Sequence, residues 1–271
     1  MEYYDICEYK AAQICCYNHT DYLAPMKTAL LLFLVYSFGQ SSKLPADYKR
    51  CDRNDPNFNG CLKDALEHAI SRLANGDKSL GIPPLEPIHI PHAVLKEGTG
   101  AVHVVQKFTN LNIHKLTKSS ITGFSSTLTK TQLSFTLNIT APEYVLEADY
   151  DFNGRLLVLP VVGVGKSKVN LYNVNTKLEL GGEYVSRNGQ QYFDVKSFDV
   201  KLAPGKVTYR FENLFNGNQE LSNQIHTVLN ENWREVFYDV KDGYEELIAT
   251  VARAYANQLF SKIPVKNIFL K

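Results

Sequence analysis

Methionine and tryptophan are scarce in this sequence, with two Met and one Trp among 271 residues, and only five cysteines are present. Neither charge sign prevails, since 29 Lys+Arg face 28 Asp+Glu. A chain so balanced carries no strong field to attract nucleic acid. No apolar run reaches the ~20 residues that a spanning helix needs, which excludes a polytopic membrane protein. Hydrophobic residues make up 44% and charged residues 21%. Such a composition can bury a core and excludes a disordered tail or a fibre.

Enzyme signatures are missing too. There is no Gly-x-Ser-x-Gly elbow for a serine hydrolase. The segment Gly163-Val164-Gly165-Lys166-Ser167 has Pro160 where a phosphate loop needs its first glycine. Lys168 stands where a dinucleotide fingerprint needs its third glycine, so the segment reads as a β-turn between strands. His89 and His92 have no carboxylate or thiolate set around them and read as surface residues. His103 and His114 are expected to face outward from strands, and His226 to face solvent from a helix. No catalytic residue, cofactor or metal site is assigned, and the chain is read as a non-enzyme.

What is present begins with an address. Met26-Lys27-Thr28 opens the apolar run Ala29–Val35, which exits through Tyr36-Ser37-Phe38-Gly39-Gln40-Ser41-Ser42. A basic residue, a short apolar stretch and a small-residue exit form a secretory signal peptide, here residues 26–42. Met26 is the expected start, which makes residues 1–25 an upstream extension or start-site artefact. The folded chain is then 43–271, secreted and extracellular, without stable membrane insertion. Excluding Cys7, Cys15 and Cys16 leaves Cys51 and Cys61, which are expected to form one short-loop disulfide in an oxidising compartment. Two thiolates alone cannot fill a tetrahedral zinc site. Asn138-Ile139-Thr140 is a glycosylation sequon.

From residue 43 the pattern runs helix, many strands, helix. Leu62, Leu66, Ala69, Ile70 and Leu73 recur at helical spacing until Asn75-Gly76. Gly81-Ile82-Pro83-Pro84-Leu85-Glu86-Pro87 forces extended chain. From Ile88 to Phe215, Gly, Asn and Asp punctuate β-prone runs. Leu133, Phe135, Leu137 and Ile139 alternate with polar neighbours, which leaves Asn138 on the outward side. Tyr144, Leu146, Ala148 and Tyr150 repeat the alternation. Asp151-Phe152-Asn153-Gly154 and Arg187-Asn188-Gly189-Gln190 read as hairpin turns, with a bulge near Lys196-Ser197. Val207, Tyr209 and Phe211 close the strand region. Apolar residues from Leu221 to Phe260 then fall on one helical face; taken as one element it runs from about Gln219 to Ser261. Asn216-Gly217 suits a turn before it, and Asn218 a cap. Without βαβ alternation the sheet is antiparallel. The fold class is α+β, a long C-terminal helix wrapped by a strongly curved antiparallel sheet in one elongated domain.

Several stretches carry a resemblance. They are Cys51-Asp52-Arg53-Asn54-Asp55-Pro56-Asn57-Phe58-Asn59-Gly60-Cys61-Leu62, Gly81-Ile82-Pro83-Pro84-Leu85-Glu86-Pro87, Phe211-Glu212-Asn213-Leu214-Phe215-Asn216-Gly217 and Leu229-Asn230-Glu231-Asn232-Trp233. In order and spacing the chain resembles the takeout/juvenile hormone binding protein family of insects. The resemblance implies one module similar to the bactericidal/permeability-increasing group, with an internal tunnel for a hydrophobic ligand. It also implies a disulfide between the paired N-terminal cysteines. The juvenile hormone carriers of the family have a second disulfide further along. This chain has no cysteine after Cys61, which places it with the takeout-like branch.

The expected function is a secreted carrier of a small hydrophobic ligand: a juvenoid, fatty acid, terpenoid or other lipid. The alternative is a secreted signalling or interaction protein with a filled core, and a protein receptor remains an open partner. Inward strand positions supply the candidate ligand-lining residues: Val104, Phe108, Leu133, Phe135, Leu137, Tyr144, Leu146, Tyr150, Phe198, Val200, Tyr209 and Phe211. Trp233 and Phe237 join them from the helix. Tyr144 and Tyr150 are the favoured hydrogen-bond donors to a ligand oxygen.

Overall fold

A computed structural model describes residues 43–270. The upstream extension 1–25 and the signal segment 26–42 expected above lie outside the described residues. Helix α1 (Phe58–Arg72) follows a turn in which the Asn57 N–H donates to Asp55 Oδ1 at 2.7 Å. The Cys51–Cys61 disulfide ties the preceding segment to its first turn. The helix packs on the sheet through Leu62, Leu66 and Ile70, and its Glu67 carboxylate accepts the Ile121 N–H at 3.0 Å.

The sheet is built on two very long strands, β5 (Gln132–Leu156) and β6 (Leu159–Arg187). They pair without a register shift from Gln132↔Glu183 to Leu156↔Leu159. Shorter strands share out each flank of this pair. Along the free edge of β5 lie β4 (Ser120–Leu128), β3 (Gln106–His114) and β2 (Val102–Val104), with β1 (Ile88–Leu95) outside β3. Along β6 lie β7 (Gln190–Ala203) and β8 (Lys206–Phe211). Every ladder is antiparallel, as expected. The β6–β7 hairpin turns on Asn188 and Gly189, at φ 50° and 71°. Asn-Gly is the pair that best tolerates two left-handed residues. The bulge expected near Lys196 is present, since Gly181 pairs Ser197 and Gly182 pairs Val195.

Burial along β5 and β6 changes parity midway. Leu133, Leu137, Ile139 and Ala141 are buried on β5, and then Tyr144, Leu146, Ala148, Tyr150 and Phe152. On β6 the buried set passes from Val161, Val169 and Leu171 to Val174, Thr176 and Leu180. Both switches fall where Pro142 lies opposite Asn173, whose φ is 49°. Pro142 has no N–H to give the ladder, and a left-handed residue turns the chain about its axis. The two strands therefore change their inward side together and keep their register.

Three expectations are corrected. The reversal does not occur at Asp151–Gly154, because β5 runs through to Leu156 and turns at Leu157-Val158. Gly154 serves close approach instead: a Cβ there would sit 2.1 Å from the His103 carbonyl oxygen on β2. Gly163–Ser167 is strand, not turn, and Gly165 admits the Glu212 carbonyl in the same way. The long C-terminal helix is two helices, α2 (Gln219–Glu231) and α3 (Trp233–Phe260). They break at Asn232, at φ −101° and ψ 24°, where the side-chain amide donates to the Val228 carbonyl at 2.8 Å. An asparagine side chain that competes for a helical carbonyl favours a terminus over an interior. Asn218 caps α2 as expected, accepting the Leu221 N–H. A short α4 (Val265–Ile268) follows, and the Leu270 N–H donates to the Cys51 carbonyl at 2.8 Å.

The two long helices dock on the open edges of β7 and β8 through side chains. The Tyr209 N–H donates to Asn230 Oδ1 at 2.8 Å, and Asn230 Nδ2 donates to the Tyr209 carbonyl at 3.1 Å. The Leu202 N–H donates to Glu245 at 2.8 Å, and the Val195 N–H to Asn257 at 3.1 Å. Asp239 accepts from the N–H groups of Thr99, Gly100 and Val102, fixing the loop into β2. Glu245 is 3% exposed and also takes Lys201 and Lys241 at 2.9 and 3.1 Å. Glu245→Ala leaves a buried strand N–H without its acceptor and takes from Lys241 the shorter of its two ion pairs, and is expected to cost about 2–4 kcal/mol in urea unfolding. Glu245→Gln keeps an acceptor and is expected to cost less; equal losses would contradict this account.

Candidate functional site

Where α2 and α3 meet the sheet, the packing leaves an apolar cavity of about 50 Å³. Its walls are Val102 and Val104 of β2, Phe152 and Leu156 of β5, Val161 of β6, Phe211 of β8, Ile225 and Leu229 of α2, and Val236 and Val240 of α3. An aromatic cluster backs it: Phe152 lies 4.7 Å from Tyr150, 5.2 Å from Phe211 and 5.5 Å from Phe108, ring centre to ring centre.

Two polar side chains also line this cavity, Gln106 of β3 and Tyr209 of β8. Both are buried, at 6% and 7% exposure. The Tyr244 hydroxyl donates to Gln106 Oε1 at 2.9 Å, but Gln106 Nε2 and the Tyr209 hydroxyl have no hydrogen-bond partner. Burial holds the Tyr209 phenol far above the ordinary tyrosine range, with a smaller contribution from nearby Tyr244. Burial likewise raises Tyr244. Both phenols therefore stay protonated at any physiological pH. Buried polar groups are nearly always paired, so two orphans on one apolar cavity are unusual.

The structure disperses the sequence candidates. Val104, Tyr209 and Phe211 border the cavity. Phe108, Tyr144, Leu146, Tyr150, Val200 and Phe237 are buried in the same hydrophobic cluster, with Phe198 and Trp233 partly buried against it. Leu133 belongs to a second cluster near the disulfide, against which Phe135 packs. Leu137 sits in another with Ile121 and Ile139. The two favoured phenols are already engaged: the Tyr150 hydroxyl donates to the Glu212 carbonyl at 2.6 Å, and Tyr144 lies 3.0 Å from the Ser119 hydroxyl. Gln106 and Tyr244 were not among the candidates, yet the pattern held both. Gln106 shares the inward parity of Phe108, and Tyr244 lies four residues beyond Val240. Asn138 is exposed, on the outward side expected for its sequon.

His226 departs from its expected place in solvent. It is half-buried, its Nε2 accepts the Phe211 N–H at 2.8 Å, and its ring stacks on Phe211. His89 and His92 are exposed. A larger concave volume, about 580 Å³, is an open polar groove on the sheet. Four of its charges pair, Lys168 with Glu147 at 2.8 Å and Lys166 with Asp149, and Arg210 and Glu212 also line it. No cluster of metal-ligating residues occurs among the described residues, and none of their helices is long and apolar enough to cross a membrane.

The sequence model for "Haemolymph juvenile hormone binding protein (JHBP)" matches residues 29–270. The chain belongs to the haemolymph juvenile hormone binding protein family. This family member is similar to the "Circadian clock-controlled protein daywake" of Drosophila melanogaster, at 29% identity over 85% of this chain and 90% of that protein. It is also similar to a "Putative beta-carotene-binding protein" of Schistocerca gregaria, at 21% identity over 80% of this chain and 85% of the other. Among solved structures it matches Takeout 1 of Epiphyas postvittana with a TM-score of 0.69 and 22% identity, over 82% of this chain and all of that one. That likeness establishes a shared fold.

Burial, and then the nearby Arg210, lower the His226 pKa below the ordinary imidazole value. A group kept neutral in the folded state binds protons more readily when unfolded. Its contribution is complete above about pH 6.5 and is lost as the pH falls toward its depressed folded value. Stability measured from pH 7.5 to 5 is expected to fall less in His226→Gln, which keeps an acceptor without titrating. Identical pH slopes would rule His226 out.

Proposed function

We propose that this family member is a secreted carrier of a small hydrophobic ligand, with the apolar cavity between α2, α3 and the sheet as part of its binding site. The observation that carries this reading is the cavity itself, walled by aliphatic and aromatic side chains with Gln106 and Tyr209 among them. A few placed polar groups in an apolar enclosure are what a lipid-like ligand requires. About 50 Å³ accommodates an end group and not a whole lipid. The remainder of the ligand would have to part the half-buried apolar layer of Leu178, Phe198, Leu247, Ile248 and Val251 packed on the same cluster. Burying apolar ligand surface gains about 25 cal/mol per Å².

The family's name and the carotenoid-binding name of the locust relative support a binding role over catalysis. The Cys51–Cys61 disulfide and the outward-facing Asn138 sequon suit export through an oxidising compartment, with residues 26–42 as the signal.

Native mass spectrometry of the protein collected from insect-cell medium tests the reading. A bound lipid that is released on denaturation is the expected result, with the chain beginning after residue 42 and a glycan on Asn138. Val236→Phe projects a ring into the cavity. It is expected to keep the fold while weakening lipid uptake about tenfold or more. A protein that arrives empty and takes up no juvenoid, fatty acid or terpenoid would overturn the carrier reading.

A further inference from the structure

We propose that the tip of the β5–β6 hairpin, Leu157–Pro160, docks on a phospholipid membrane, entering it with apolar side chains while Arg155 meets lipid phosphate. The docking names a partner for the protein and stands whatever ligand the cavity takes.

The two ends of β6 carry opposite chemistry. At its far end the hairpin turns on Asn188-Gly189, flanked by Arg187 and Gln190, a polar turn of the usual kind. At its near end Leu157, Val158, Leu159 and Pro160 are four consecutive exposed residues without a polar side chain. Val158 is 86% exposed. Leu157 takes a left-handed conformation, φ 52°, which disfavours a bulky side chain and suits asparagine or glycine. Exposed Val162 and Val164 extend the apolar surface along the outward side of β6. An exposed apolar patch of this kind marks a site of interaction.

Lipid fits this patch better than a protein does. The tip stands clear of other strands: β2 ends opposite Leu156, and the other side of β6 first gains a neighbour at Gly163, bridged to Leu214. Its backbone is largely paired, since the Leu157 N–H donates to the Ala101 carbonyl at 2.6 Å, Leu156 pairs with Leu159, and Pro160 has no N–H. A segment that meets hydrocarbon must bring few unpaired backbone groups. Between Asp151 and Lys166 the only charged residue is Arg155, exposed and opposite His103 on β2. A cation set just behind an apolar tip matches a phosphate layer above hydrocarbon. A protein partner needs directional contacts, for which the tip has no side-chain donor or acceptor. The tip is also continuous with the apolar cavity, because Leu156 and Val161, on either side of it in the chain, both line that cavity.

Flotation of the full chain with vesicles tests the proposal, using phosphatidylcholine alone and equal parts of phosphatidylcholine and phosphatidylserine. Wild type is expected to float with both, about fivefold more tightly with the anionic vesicles. Leu157→Asn combined with Val158→Gly gives the tip the turn chemistry of the other hairpin. This double variant is expected to bind both vesicles about tenfold more weakly or worse, with an unchanged or raised melting temperature. Arg155→Gln is expected to lose most of the anionic preference and keep its binding to phosphatidylcholine. Wild type that floats with neither vesicle would overturn the proposal, as would a double variant that floats equally well. A concentration-dependent dimer without vesicle binding, abolished in the double variant, would assign the tip to a second copy and overturn it too. Uptake of a fluorescent fatty acid from solution is expected to match in wild type and double variant. Its loss together with flotation would place the tip in the ligand site and overturn the docking role, whereas its absence from both proteins counts against the carrier reading alone.

Discussion

A curved sheet that is not closed on itself must do something with its outer edges, and here helix side chains complete them. Strands β7 and β8 both pair only with β6, so each has an edge of N–H and C=O groups facing away from the sheet. Asn230, His226, Glu245 and Asn257 supply bonds that a further strand would have made. An exposed edge is a template for aggregation, and a buried unpaired N–H is costly. Side-chain caps solve both problems, but they also set the distance between helix and strand. A neighbouring strand would lie about 4.8 Å away. A helix held by asparagine and glutamate side chains stands farther off. The cavity lies within this stand-off, walled by β8 on one side and by α2 and α3 on the other.

The cavity and the caps are therefore linked at particular residues. Tyr209 is held by Asn230 through its backbone and stands in the cavity wall. Phe211 is held by His226 through its backbone and offers its ring. Each residue that shapes the cavity from β8 is fixed by a polar side chain of α2, while the apolar face of α2 supplies Ile225 and Leu229 to the opposite wall. One helix thus performs both tasks with different faces. The break at Asn232 lets α3 take a new direction and bring Val236, Val240 and Tyr244 to the same place.

Much of the fold could be read from the sequence because it depends on local periodicity. Alternation exposed the strands and their inward residues, and Asn188-Gly189 and Asn218 announced a turn and a cap through their own chemistry. The errors share a cause. Asp151–Gly154 and Gly163–Ser167 contain residues that favour turns, but their glycines answer to distant backbone, the His103 and Glu212 carbonyls, which no local window contains. The helix break at Asn232 was hidden because the apolar spacing continues across it from Leu229 to Trp233 and Val236. His226 was misplaced for a related reason: the partner that draws it inward is a strand N–H fifteen residues away.

The candidate site was legible as a population of inward residues and not as a place. Periodicity says which side chains face the interior, and Val104, Tyr209 and Phe211 were recovered that way. It does not say which phenols will find partners. Tyr144, Tyr150 and Tyr209 look alike in the sequence, each on an inward strand position. Ser119 and the Glu212 carbonyl engage the first two, and only Tyr209 reaches the interior with its hydroxyl unspent. Gln106 is a polar residue whose parity with Phe108 puts it inside. There the amide is steadied by a tyrosine from another element, a contact that no local window contains.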